Sequence, residues 1–349
     1  MSNQEATASA IDHLRTILPQ DGTRDALIHS VIPNLLQSIA DVAQALRNSH
    51  QVSAAGTANT FGDDQLNVDV IAENIIRATI AQCPSIVTAS SEEDPIEQAV
   101  EHHATSSSSE QYTLAFDPLD GSSIISANWT VGAIFSLWDG PSALNQDPAT
   151  RQIVSILGVF GPRTTAIVAL RVSGSPVPKT CLELALGPAV SNPTSATVTT
   201  PTKWHLTAPT LTLAPRSKYF SPANLRMAAD DPAYMTLLTS FITRRYTLRY
   251  AGGLVPDIVH MLVQGQGVYV SPVLAGGDGS RGQASKPKLR RLYELCPLAL
   301  VVECAGGAAV DPVDGTAVLA REVKDCGERG GLLCGGREEV VEVVKTLLS

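Results

Sequence analysis

Apolar residues along this chain fall into two kinds of stretch. In the first, they recur at helical spacing. Residues 24–48 (RDALIHSVIPNLLQSIADVAQALRN) do so, with Pro33 marking a kink or break. Residues 64–82 repeat that period and predict a second helix. In the second kind, short apolar runs rich in β-branched and aromatic residues predict strands: SIVTAS, YTLAFD (112–117), WTVGAIFSLW (129–138), QIVSILGVF and TTAIVALRV.

The pattern then breaks. Residues 191–203, SNPTSATVTTPTK, are Ser/Thr/Pro-rich with little apolar content and mark the neighbourhood of a domain boundary, which divides the chain into 1–200 and 201–349. Beyond it a strand (HLTAPTLTLA), a helix over 222–244, the strand YTLRYAG, a helix from Val255 to Gly265 and the strand GVYVSP are predicted. The Gly-rich loop LAGGDGSRGQASKPK opens a final helix through KLRRLYELCPLALVVECAGG. This mixture means an α/β or α+β fold, whose strand connections periodicity does not give.

Composition narrows the function. With 349 residues, 44% hydrophobic and 17% charged, the chain can bury one large or two medium cores. A net charge of −9 argues against nucleic-acid or anionic-membrane partners, which call for clustered Lys and Arg. It leaves room for a small anionic substrate, because a metal inverts the local field. The start, MSNQEATASAIDHLRTIL, lacks the basic and apolar regions of a secretory signal, and no stretch approaches the ~18 apolar residues of a membrane span. Six cysteines (83, 181, 296, 304, 326 and 334) without a CxxC pair suit reduced thiols, and the cytosol is the expected compartment.

Four places crowd carboxylates against apolar runs: GDDQLNVD (Asp63, Asp64, Asp69), SSEED (Glu92, Glu93, Asp94), FDPLDGSS (Asp117, Asp120), and Glu294 inside LYELCPLALVV. Gathered in one cleft they would repel unless a cation neutralised them. A hard cation such as Mg²⁺ takes oxygen ligands at about 2.0–2.1 Å. Two such ions about 3.5–4 Å apart activate water and stabilise a leaving oxygen in phosphoryl transfer. Gly121, Ser122 and Ser123 would offer backbone N–H groups to phosphate. Each piece also has a bland reading. DPLDG alone makes a turn, SEED a solvated helix start, Asp63 and Asp69 a helix edge, and Glu294 a surface position.

The ordered set goes further. FDPLDGSS, preceded by SEED and GDxxxxxDV and followed by RYxGxxVPD and KLRxLYExxPLAxxxExAGG, resembles the sugar-bisphosphatase family of fructose-1,6- and sedoheptulose-1,7-bisphosphatases, from about residue 55 to 311. SSIISANWTVGAIFSLWDG, SPANLRMAADDPAY and YTLRYAGGLVPD are more similar to the sedoheptulose branch. The resemblance implies a layered α-β-α-β-α sandwich with the active site between two halves, 1–200 carrying the metal and phosphatase motifs and 201–349 the sugar site. It also implies a Mg²⁺-dependent phosphatase with two or more ions per site (Mn²⁺ as a substitute) that removes the C1 phosphate of a ketose bisphosphate. The seven-carbon sedoheptulose 1,7-bisphosphate is the expected substrate, fructose 1,6-bisphosphate the alternative, and a non-catalytic sugar-phosphate sensor the remoter one.

Carried over by position, the resemblance makes Glu92, Glu93, Asp117, the Leu119 carbonyl, Asp120 and Glu294 metal ligands. It gives Asp69, Asp63 and Glu93 the activation of water, and the amides of Gly121, Ser122 and Ser123 the transferred phosphate. Asn224, Arg249, Tyr250 and Lys288 would grip the distal phosphate and sugar, Arg249 reaching in from a neighbouring subunit of a dimer or tetramer. The chain departs from the pattern at several points. Ser126 replaces an Asp, and Ser271 replaces a Tyr of the fructose enzymes, which suits a different or longer sugar. Gln111 replaces the Lys of AMP-inhibited forms, and an insertion occupies residues 275–287. Neither AMP control nor light-linked redox control is expected.

Overall fold

A computed structural model describes residues 10–58, 64–102, 109–188, 202–273 and 287–348. Asp63, the stretch 191–201 and nearly all of the 275–287 insertion lie outside the described residues.

The chain begins with helices α1 (Ala10–Ile17) and α2 (Ile32–Asn48), a ribbon of β1 (Ala54–Ala58) with β2 (Asp64–Leu66), and helix α3 (Asn67–Ile80). The strands of a first sheet follow: β3 (Ile86–Ser91), β4 (Gln98–Ala99), β5 (Tyr112–Asp120), β6 (Val131–Asp139), β7 (Gln152–Phe160), β8 (Thr164–Leu170), β9 (Thr180–Pro188) and β10 (Thr202–Ala208). Between them lie two single-turn helices, α4 (Ser122–Ile125) and α5 (Pro148–Arg151). The sheet order is β10-β9-β8-β7-β6-β5-β3-β4, and among the described strands of this sheet β3 against β5 is the one parallel pair.

The rest of the chain builds β11 (Tyr219–Pro222), α6 (Pro232–Thr243), β12 (Thr247–Leu248), α7 (Leu254–Gln264), β13 (Val268–Ser271), β14 (Leu289–Arg290), α8 (Cys296–Cys304), β15 (Ala308–Val310), β16 (Arg329–Gly330), β17 (Leu332–Gly335) and α9 (Arg337–Leu347). The second sheet runs β12-β11-β13-β17-β15, and β14 pairs separately with β16. Strand β10 starts beyond the expected 200/201 division yet pairs onto the first sheet, so the change of sheet falls between Ala208 and Tyr219.

Alternate residues of each strand feed different cores. Leu114 and Phe116 of β5, Phe135 of β6, Ile156 of β7 and Val168 of β8 pack under Leu35 and Ile39 of α2 and Ile76 of α3. Their neighbours Ala115, Ile134, Leu157 and Ile167 face the other way, onto Val255 and Ile258 of α7 and Leu298 and Val302 of α8. Those helices also cover Tyr269 and Cys334 on the inner face of the second sheet. Val268, Val270 and Leu333 on its outer face meet Phe241 of α6 and Val340 and Val343 of α9. The result is the expected α-β-α-β-α sandwich, with α7 and α8 as the middle layer. Every residue of β5, β7 and β8 is buried, which is why these strands read as largely apolar runs rather than alternating ones.

Some predicted boundaries move for local reasons. Pro33 lies in the first turn of α2 but does not end the helix, because a wide turn at Leu27–Val31 runs directly into it and accommodates the missing N–H. The helix predicted over 222–244 divides at Asp231, whose carboxylate caps α6 by accepting from the N–H groups of Ala233 and Tyr234. YTLRYAG forms only the two-residue β12. The helix predicted from KLRRLYE starts at Cys296, after a second wide turn at Arg291–Leu295.

Candidate active site

The site begins with an irregularity at the end of β5. In regular pairing, residues three apart point to opposite faces of a sheet. Here Asp117 pairs with Ile134 but Asp120 with Gly132, so three steps on β5 oppose two on β6. The bulge returns both carboxylates to one side. The Leu119 N–H donates to Asp117 Oδ1 at 3.0 Å, closing the turn around Pro118. Gly121 then takes φ = 103°, a left-handed conformation that L side chains rarely adopt, and its absent Cβ would stand 3.0 Å from Val131 Cγ1.

Asp120 is anchored from the far half of the chain. Its Oδ1 accepts from the Leu254 N–H at 3.2 Å and its Oδ2 from the Val255 N–H at 2.6 Å. These are first-turn N–H groups of α7, which lack acceptors within the helix and carry the positive end of its dipole. The close approach depends on Gly132 of β6, where a Cβ would lie 2.5 Å from Val255 Cβ. Glu294 enters from the wide turn before α8 and accepts the backbone N–H of Arg290.

Asp117, Asp120 and Glu294 are all buried, and their nearest carboxylate oxygens lie within 4.8 Å of one another. Burial raises all three pKa values. Asp117 stands well above the usual range, because burial is compounded by the charges of Asp120 and Glu294. Burial pushes Asp120 up to about 6, against the two α7 N–H groups that lower it. Burial pushes Glu294 up to about 7, with the Arg290 N–H opposing and Asp120 adding to the rise. Three buried carboxylates with only oxygen donors, and no His or thiolate among them, fit a hard divalent cation. A cation is also what allows all three to ionise together.

Around this centre the other acidic residues take separate places. Asp69, in the first turn of α3, accepts the Leu66 N–H at 2.9 Å and the Ser122 hydroxyl at 3.0 Å, and burial raises its pKa. Ser122 Oγ also lies 3.2 Å from the Leu119 carbonyl oxygen. Glu92 is paired with the buried guanidinium of Arg290, and Glu93 accepts from the Gln65 side-chain amide. Neither glutamate belongs to the group of three. Ser122 and Ser123 open α4, so their backbone N–H groups have no acceptor within that helix.

Beside Asp120 opens a cavity of about 300 Å³. Ser123, Asn224, Tyr250, Lys288 and Ser271 line it, so four residues expected to bind phosphate or sugar share one space with the substituted serine. Asn224 holds a left-handed conformation at φ = 52°. Arg249 is not among the lining residues. Its guanidinium lies 5.5 Å from the centre of the Tyr219 ring and donates to the Leu248 carbonyl at 2.9 Å. Ser126 is exposed at the end of α4. A larger cavity of about 630 Å³ lies elsewhere, between α2 and the turn around Trp129, and holds none of the clustered carboxylates.

Three residues of this neighbourhood escaped sequence reasoning. Arg290, Asp257 and Glu73 are each part of or near a motif, but nothing in the spacing gives them a task. Glu73 accepts from Arg77 and from Ser91, both at 2.8 Å, and fixes the end of β3 that carries Glu92. Asp257 lines the cavity and accepts the N–H groups of Ala251 and Gly252. Burial pushes its pKa up to about 6.

Comparison with known proteins gives matching results for sequence and fold. Residues 17–187 match the family model "Fructose-1-6-bisphosphatase, N-terminal domain", and residues 213–348 match its C-terminal counterpart. A chloroplastic sedoheptulose-1,7-bisphosphatase of Triticum aestivum is 32% identical over 320 residues, covering 90% of this chain and 73% of the relative. A class 1 fructose-1,6-bisphosphatase of Syntrophotalea carbinolica is 30% identical over 338 residues, covering 96% and 93%. A crystal structure from Toxoplasma gondii, provisionally named a sedoheptulose-1,7-bisphosphatase, superposes with a TM-score of 0.79 at 32% identity, covering 98% of both chains. The holo form of Leishmania major fructose-1,6-bisphosphatase shares the fold with a TM-score of 0.78 at 23% identity, covering 98% of this chain and 99% of that one.

Proposed function

The chain belongs to the fructose-1,6-bisphosphatase family and is a metal-dependent sugar bisphosphatase, and from that premise we propose that it hydrolyses the C1 phosphate of sedoheptulose 1,7-bisphosphate. The observation that carries the hydrolytic reading is the buried group of Asp117, Asp120 and Glu294 beside a polar cavity. The seven-carbon preference is supported by relatives of that name and by Ser271, which leaves space in the cavity that an aromatic ring would fill. Fructose 1,6-bisphosphate is the second reading, favoured by class 1 relatives of nearly equal identity.

The proposed ligands of the ions are Asp117, Asp120, Glu294, Glu92, Glu93 and the Leu119 carbonyl, and the metal is Mg²⁺. When bound, Mg²⁺ supplies charge neutralisation and a more acidic water. The chain's own groups do the rest. Asp69 and Glu93 accept the proton of the attacking water, and Ser122, donating to Asp69, keeps that carboxylate turned towards the DPLDGSS turn. The N–H groups of Gly121, Ser122 and Ser123 hold the transferred phosphate. Asn224, Tyr250 and Lys288 hold the sugar and its distal phosphate across the cavity. Arg249, turned onto Tyr219 in its own chain, serves the neighbouring copy of a dimer or tetramer. Together these contacts fix the line of attack, and positioning with electrostatics accounts for most of the acceleration.

In this reading residues 1–200 carry the hydrolytic machinery apart from Glu294, and 201–349 carry the sugar site. Among the described residues no helix is long and apolar enough to cross a membrane. All six cysteines are free, which fits the cytosol. The test is phosphate release in the presence and absence of Mg²⁺, with Asp120→Ala alongside. Mg²⁺-dependent release that disappears in the variant is expected. Release that survives in Asp120→Ala contradicts the ligand set.

A further inference from the structure

The segment Ala251–Val255 joins the sugar-facing side of the site to the metal-facing side. Tyr250 precedes it in the chain, and its last two residues hold Asp120. Its N–H groups are shared between two buried carboxylates. Asp257 takes Ala251 at 2.6 Å and Gly252 at 3.2 Å, and Asp120 takes Leu254 at 3.2 Å and Val255 at 2.6 Å. One carboxylate therefore fixes the start of the segment and the other reads where it ends.

Two features make the first set of bonds matter to the second. Gly252 holds φ = 93°, a left-handed conformation, and the segment has no strand partner, since β12 ends at Leu248. Asp257 lies one turn into α7, and its own N–H closes onto the Gly253 carbonyl at 3.3 Å. Its side chain thus ties the segment back to the helix whose first N–H groups grip Asp120. Asp120, Tyr250, Gly252, Gly253, Leu254 and Asp257 all line the same cavity of about 300 Å³.

We propose that Asp257 is a positioning residue that sets the orientation of Asp120 and the placement of Tyr250 together, by holding the Ala251–Gly253 segment against α7. This rests on the reading of Asp120 as a metal ligand. Asp257 itself stands outside the group of three carboxylates, and both its oxygens accept backbone N–H groups. Its loss moves metal affinity and substrate KM in the same direction, because one segment serves both.

The experiment is calorimetric titration of the full chain with Mg²⁺, alongside KM for the bisphosphate, on four proteins: the unchanged chain, Asp257→Asn, Gly252→Ala and Val343→Ala. Asp257→Asn leaves one oxygen for two N–H donors. Gly252→Ala strains the same segment without touching the carboxylate, and so tests the proposal even if the first variant folds poorly. Val343→Ala loosens the distant core against α9 and reports what lost stability alone does. Outer-sphere partners of metal ligands are typically worth about 10–100-fold in metal affinity. Weaker Mg²⁺ binding by about tenfold or more, with KM raised, is expected in both segment variants and not in Val343→Ala. Unchanged Mg²⁺ affinity and KM in folded Asp257→Asn, while the unchanged chain binds Mg²⁺, would overturn the inference. Failure of the unchanged chain to bind Mg²⁺ would instead overturn the ligand reading, and the inference with it.

Discussion

Val255 donates its backbone N–H to Asp120 at 2.6 Å, joining the first turn of α7 to the bulged end of β5. That contact is where the two halves of the chain meet at the candidate centre, and Gly132 permits it, since a Cβ there would lie 2.5 Å from Val255 Cβ.

Gly132→Ala therefore acts on both stability and function. Overpacking of this kind costs typically about 1–3 kcal/mol. Displacing α7 also removes two N–H donors from Asp120, so Mg²⁺ affinity falls as well. Thermal melts with calorimetric Mg²⁺ titration check this. A stable protein with unchanged Mg²⁺ affinity would show that α7 does not orient Asp120.

Neutralising one of the clustered carboxylates separates folding from catalysis. Asp117 is pushed well above the usual range by burial and by the charges of Asp120 and Glu294. Asp117→Asn removes one of the three mutually repelling anions. Without metal, at neutral pH and above, the variant is expected to melt at a higher temperature than the parent. It is also expected to lose the rise in Tm that Mg²⁺ gives the parent, and to release no phosphate. A variant less stable than the parent without metal would contradict the repulsion argument.

The same shifts set a pH dependence. The folded pKa values of Asp120 (about 6) and Glu294 (about 7) exceed the ordinary carboxylate values of 3.8 and 4.5. Between those limits the folded chain holds protons that the unfolded chain has already lost. The stability from these groups is therefore full below pH ~4 and lost as pH rises through 6 to 7. Mg²⁺ must displace those protons, so its stabilisation grows over the same window. Scanning calorimetry with and without Mg²⁺ from pH 5.5 to 8 is expected to show a Tm difference that widens with pH. A constant or narrowing difference would argue against metal binding at this group.

Ser271 gives a test of substrate length. It lines the cavity beside Tyr250 and Lys288, at the end of β13. Ser271→Tyr fills space in that cavity and is expected to lower kcat/KM for sedoheptulose 1,7-bisphosphate relative to fructose 1,6-bisphosphate. A change of one methylene in a pocket is worth roughly 10–200-fold, which sets the scale of the shift. An unchanged ratio would remove Ser271 from the specificity argument.

The sequence made the layers and the acidic motifs legible to different depths. Strands β5 to β8 stood out because burial on both faces makes them largely apolar, with only a few polar positions such as Ser136 and Ser155 between. The helices around Leu35 and Ile76 stood out by period. YTLRYAG misled because its apolar spacing is that of a strand, while Asp257 holds its second half as a loop. Asp117 and Asp120 could be named from the motif, but their shared face comes from a bulge, which depends on pairing with β6. Asp257 and Arg290 sat inside quoted motifs without a role, since their partners are backbone N–H groups or charges that only the fold brings near. Helix α9, REEVVEVVKTL, has a regular amphipathic face, yet no chemistry drew attention to it.

The decisive measurement is kcat/KM for phosphate release from sedoheptulose 1,7-bisphosphate and fructose 1,6-bisphosphate, side by side, with Mg²⁺ titrated. Mg²⁺-dependent release from both is expected, with the higher kcat/KM for the seven-carbon sugar. Preference for the six-carbon sugar would contradict the substrate assignment, and no release from either at any Mg²⁺ concentration would contradict the hydrolytic reading itself.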